Sequence, residues 1–162
     1  MKPTELLGLL EEFYRDKALL RRRHEAVARV TAGYDLNNTY QYVIEREAQH
    51  ESWLRDAILA SGGQEPSVPP EETVKAPAGK DQHFALAGED AAALDAFVTR
   101  WRGRVALVGN ARQRLMLDLI LGETLEQARF FRQGAGGRLD MLGRRSGGQD
   151  TPGGVLPSRW VE

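Results

Sequence analysis

The chain has 162 residues, of which 22 are basic, 23 acidic and three histidine, and none is cysteine. That length favours one domain with a substantial core, and a formal charge of −1 gives no global electrostatic reason to expect nucleic acid as a partner. The missing cysteine removes disulfides, thiolate metal sites and thiol catalysis. No apolar stretch is long enough to span a bilayer, and the N-terminus turns charged too early for a secretory signal, so a cytoplasmic protein without membrane partners is expected.

A first helix is expected from Thr4, a capping residue type, with Leu6, Leu7, Leu10, Phe13 and Leu20 spaced three, four or seven apart. The pattern continues through His24, Val27 and Ala28 until Gly33. Arg21, Arg22 and Arg23 form the densest basic run. Three neighbours on a helix point in different directions, which predicts a solvated surface. The turn formers of "TAGYDLNN" predict a break before a second helix from about Asn38 to Ala60. Tyr40, Val43, Ile44, Leu54 and Ile58 face inward there, and "SGG" ends it.

Residues 62–88 hold four of the seven prolines and no sustained period, so they read as a long connection. A third helix follows in "EDAAALDAFVTRWRGRVALV", with Leu94, Phe97, Val98, Trp101, Val105 and Val108 on one face. Gly109 and Asn110 make a short break before a fourth, unusually apolar helix that ends ahead of Gly134. The chain therefore divides into a bundle over 1–133 and a glycine-rich extension over 134–162. Val155, Leu156, Trp160 and Val161 of that extension are apolar enough to dock on a neighbouring surface. The fold class is all-α, with short, long and short links. A long second link lets the third helix run parallel to the second.

Glu47 and His50 form E-x-x-H and share a helix face with Val43, Ile44 and Leu54, so both are expected to point inward. A buried carboxylate needs compensation. A hydrogen-bonded or ion-paired network supplies it, and so does a divalent metal. Glutamate oxygen with neutral imidazole suits iron, manganese or zinc.

The stretch "EREAQHESWLRDAILASGGQEP" resembles the second-helix segment of the ferritin-like superfamily, in particular its rubrerythrin-like and bacterioferritin-like members. The resemblance implies a four-helix bundle with one long crossover between helices two and three. It also implies a two-metal site built from a glutamate on each of two helices and an E-x-x-H on each of the others. Carried over by depth along the bundle, the metal set is Glu25, Glu47, His50, Glu123 and Glu126, with His24 as the alternative inward residue beside Glu25. Glu123 and Glu126 make E-x-x-E, and Arg129 stands where a histidine is expected. The third helix departs further, having no glutamate beyond Glu89 and only Asp95 at a compatible depth. The three histidines, His24, His50 and His83, also resemble the three-histidine site of DinB-like bundles, without the H-x-x-x-H pair of a later helix.

Two functions follow from the resemblance. In the preferred one the chain is a metal-depleted, non-catalytic relative that acts as a binding or assembly module, with Arg129 or Arg102 turned inward to replace a metal's charge. In the alternative it is a di-metal carboxylate oxidoreductase or iron-handling protein, holding one or two ions of iron or manganese. The expected assembly is a homodimer through helix faces or the C-terminal tail.

Overall fold

The computed structural model describes residues 1–137, and their periodic stretches become four helices: α1 (Pro3–Val30), α2 (Tyr34–Ala60), α3 (Lys80–Ala106) and α4 (Ala111–Ala135). No strand occurs among the described residues.

The helix interiors fall where the apolar period places them, and the starts do not. α1 begins at Pro3, which has no N–H to leave unpaired, with Lys2 as the N-cap and its backbone N donating to the Glu5 carboxylate. Thr4 therefore lies inside the helix. α2 begins at Tyr34, ahead of Asn38, because Asn37 does not cap its own helix. Its amide donates to Ala28 O at 2.9 Å and Thr31 O at 3.3 Å, closing the end of α1. α3 begins at Lys80, inside the segment read as connection. The side-chain Oε1 of Gln82 accepts from the backbone N of Ala78 at 2.7 Å, and the good helix formers of "FALA" follow. α4 continues through a buried Gly134 to Ala135, so the helix passes the 133/134 boundary. Val155, Leu156, Trp160 and Val161 lie outside the described residues.

α1 packs on α2 and α3, and α4 packs on α3 and α2, leaving α1 and α4 diagonal. Trp101 Nε1 donates to Asp16 at 2.9 Å and Arg23 Nε to Asp90 at 3.2 Å, so α3 runs opposite to α1. His24 meets Glu47 and Arg21 meets Glu51, so α2 also runs opposite to α1. The connection over 61–79 is fastened to α1, where Arg22 donates to Pro69 O at 2.9 Å and Arg29 to Glu72 O at 2.7 Å.

This corrects the reading of the arginine run as solvated surface. Arg21, Arg22 and Arg23 do point three ways, but each is partly buried and tied to a different neighbour: α2, the connection and α3.

Two apolar clusters fill the bundle. One is built around Leu10, Phe13, Leu54, Ile58, Trp101 and Leu117, and the other around Val27, Tyr40, Val43, Leu94 and Phe131. Between them three helices turn polar: Lys17 and His24 on α1, Glu47, His50 and Glu51 on α2, Thr124 and Gln127 on α4, all buried. α3 lines most of this level with Leu94 and Phe97 and places one buried polar group, Asp90, at the end nearer His24. No helix of the described residues is long and apolar enough to cross a membrane.

Candidate functional site: a buried polar layer

Glu47 and His50 are both fully buried, as the apolar face around them requires. Glu47 Oε1 lies 2.6 Å from His24 Nδ1. Both side chains are wholly buried, so this short contact joins α1 to α2 inside the core. The other oxygen, Oε2, lies 3.8 Å from Lys17 Nζ, and both side chains are wholly buried. Lys17 also donates to Thr124 Oγ1 at 3.2 Å, and its ammonium sits 5.4 Å from the centre of the Phe97 ring. The Thr124 hydroxyl in turn donates to Ile120 O at 2.7 Å. Burial draws the Lys17 pKa below its ordinary value, against the pull of Glu47, Glu51 and Glu123.

His50 differs from His24. Burial first, then the charges of Lys17 and Arg46, push it down to about 2, so its imidazole is neutral. Its Nε2 comes within 3.4 Å of Glu123 Oε2, yet neither ring nitrogen has a hydrogen-bond partner. His24 Nε2, Glu47 Oε2 and both amide atoms of Gln127 are also buried without partners.

A second network lies toward the α3 start. Tyr40 donates to Asp90 Oδ2 at 2.5 Å and Arg23 donates to Oδ1, joining three helices. Burial raises the Asp90 pKa in spite of these donors and of His24, and it raises that of Tyr40.

The other residues of the expected metal set are dispersed. Glu25 is partly buried at the margin of the bundle, where it pairs with Arg21 at 3.3 Å and Arg22 at 3.4 Å and not with the core groups. Glu123 sits at the margin, a quarter exposed, and accepts from Arg46 at 2.8 Å. Glu126 is exposed and paired with Arg129. The inward pair on α4 is Thr124 and Gln127, one residue further along, or about 100° round the helix. Asp95 is partly exposed and paired with Arg132, and Glu89 is exposed and paired with Arg23.

Arg129 and Arg102 are both exposed, which corrects the expectation that one of them compensates the core carboxylate. The compensating cation is Lys17. His83 lies in the first turn of α3, not in the connection, and is partly buried with Nδ1 unpartnered.

Lys17, Thr124, Gln127 and Asp90 join the buried polar groups without having been expected there, although the sequence carries a signal for three of them. Lys17 continues the stripe Leu10, Phe13, Leu20, His24. Thr124 follows Ile120 by four, and Asp90 precedes Leu94 by four.

A divalent ion needs several anionic or imidazole donors converging on one point. Among the described residues no group of three or more His, Cys, Asp or Glu side chains is placed to hold one. An ammonium points at the carboxylate that would be central to such a set. These side chains do not fit a di-metal centre. Comparisons with family models, with curated proteins and with solved structures found no match to this chain.

Proposed function

We propose that the chain is a metal-depleted, non-catalytic relative of the ferritin-like bundles, acting as a binding or assembly module. The observation that carries this reading is the fully buried Lys17 ammonium, 3.8 Å from the Glu47 carboxylate. It supplies in the core the positive charge that a metal would bring. The pairing of Glu25 and Glu126 with arginines outside the buried layer and the neutral Thr124–Gln127 pair on α4 support it.

The ferritin-like assignment itself is supported by the direction of α2 and α3, both opposite to α1, and by a 61–79 segment laid along α1. A one-crossover bundle requires that arrangement. Charge balance and the absence of a spanning helix among the described residues fit a cytoplasmic protein without nucleic-acid partners.

The test is metal analysis of the purified full chain after anaerobic loading with iron(II) and with manganese(II). Bound metal far below one ion per chain is expected, and it should be the same in wild type and Glu47→Ala. Stoichiometric metal that Glu47→Ala removes would overturn the reading. That outcome would establish the alternative, a di-metal oxidoreductase or iron-handling protein. The unpartnered ring nitrogens of His50 are the observation favouring that alternative.

A further inference from the structure

α3 turns two alanines toward α1, and a groove opens between these helices. It measures about 370 Å³ and is walled by Leu19 and Leu20 of α1 and by Ala93, Ala96 and Phe97 of α3. The alanines are too short to cover the leucines, and Leu19 stays 49% exposed. Asp16 and Arg100, paired at 3.0 Å, close one end, and Arg23, held by Asp90, closes the other. The 61–79 segment lies along α1 but lines no part of the groove.

Where α4 ends decides what can reach it. Ala135 Cβ lies 3.5 Å from the place a Cβ would take on Gly88, and a Cβ added at Gly137 would stand 4.0 Å from Phe84 Cε2. The chain therefore leaves the bundle over the first turns of α3. From Gly88, Ala93 and Phe97 stand about 8 and 14 Å further along that helix, and crossing its width adds about 10 Å. Residues 138–154 follow Gly137, five of them glycine, and a chain of that length and composition spans about 20–25 Å on average. Beyond them come Val155, Leu156, Trp160 and Val161. Leu139, Met141 and Leu142 stand on too short a tether, about 17 Å at full extension. The clefts beside Met116 and Asn110 lie roughly 30 and 40 Å back along α4, past that average span.

We propose that residues 155–162 of this same chain dock in the α1–α3 groove, with the Trp160 indole laid on Phe97 between the leucines and the alanines. An indole brings a large apolar face on few rotatable bonds, which suits a groove of this size and lining. The tether holds the segment at an effective concentration on the order of millimolar, so a contact that is weak by itself keeps the groove occupied. The groove lies on the outside of the bundle and does not depend on how Lys17 and Glu47 are balanced. Its occupancy and the metal content can therefore fail separately.

Nuclear Overhauser effects in the full chain test it. The Trp160 indole, identified by the signal that Trp160→Phe removes, should contact the methyl groups of Ala93 and Ala96. Ala93→Glu/Ala96→Glu should abolish these contacts with helical circular dichroism unchanged, because both alanines are exposed. The absence of cysteine gives a second route. Ala96→Cys/Val161→Cys should close a disulfide within one chain, roughly tenfold faster or more than Leu115→Cys/Val161→Cys, whose partner lies at the other end of the bundle. A Trp160 indole that contacts neither alanine, one that contacts Met116 instead, contacts found only between differently labelled copies, or equal rates for the two cysteine pairs overturns the proposal.

Discussion

Lys17 and Glu47 are a buried ion pair whose two charges depend on each other. Removing one partner of such a pair strands the other, at about 3–5 kcal/mol, whereas removing both costs far less. Lys17→Met should therefore lower the urea midpoint sharply. Lys17→Met/Glu47→Gln should recover most of the loss, since the amide oxygen introduced at position 47 can still accept from His24. Equal stability of Lys17→Met and wild type would show that the ammonium does not compensate the carboxylate. His50 makes the opposite case, a buried polar ring with no bonds to lose. His50→Leu should be no less stable at pH 7. Its pH response should differ as well. Folded His50 titrates near 2, and an unfolded histidine titrates at about 6.5. Below pH 6.5 the unfolded chain takes up a proton that the folded one refuses, so stability is fully present above that value and lost as pH falls. The contribution is about 1.4 kcal/mol per pH unit. Denaturation curves at pH 7 and pH 5.5 should show a smaller loss for His50→Leu than for wild type. Equal losses would place the His50 proton elsewhere. The inward direction of Glu47 and His50 is legible in the sequence because apolar neighbours fix the face. Lys17 shows only its place in the apolar stripe, not its burial, because a lysine there is ordinarily one whose long stem reaches solvent.

The exit of α2 is where an element depends most on a single small residue. Gly62 takes φ 87°, and the backbone N of Gly63 returns to Ile58 O at 2.9 Å, closing the helix end. A Cβ on Gly63 would stand 2.7 Å from Ile58 Cγ2 and 2.8 Å from Leu7 Cδ1, inside the packed contact between α1 and α2. Gly63→Ala should cost about 1–3 kcal/mol by overpacking, whereas an alanine at exposed Gly103, which meets nothing, should stabilise α3. Thermal melts of the two variants should move in opposite directions. A shared direction would mean that propensity, not packing, governs both sites. The "SGG" stop is legible because glycine after an apolar period has one common use. The α3 start is not, because the proline-rich stretch before it masks a turn whose capping group is the side chain of Gln82, a residue type rarely expected there.

At the scale of the molecule, two helical hairpins, α1–α2 and α3–α4, are joined by the 61–79 segment and meet across a layer that is half polar. Four inward periods with short, long and short links make the all-α bundle legible. The composition of the layer is not, since a one-residue error on α4 exchanges Glu123 and Glu126 for Thr124 and Gln127 and turns a metal set into a neutral pair. The long segment is held by backbone carbonyls that accept from α1 guanidinium groups, Arg22 to Pro69 and Arg29 to Glu72. Neither contact appears as a sequence pattern, because a carbonyl has no residue type. Beyond the helix exit at Ser61–Gly63 these two bonds stand in for regular hydrogen bonding, and they keep the segment against the helix. Arg22→Ala/Arg29→Ala should therefore release it locally without melting the bundle. Limited proteolysis should cut within 61–79 several-fold faster than in wild type, at unchanged helical circular dichroism. If cleavage stays slow, the segment is held by its own apolar contacts, with Val74 against the cluster around Phe131 as the leading anchor. If helicity falls together with resistance, the arginines support α1 itself, and the long connection is a working part of the bundle and not a strap across it.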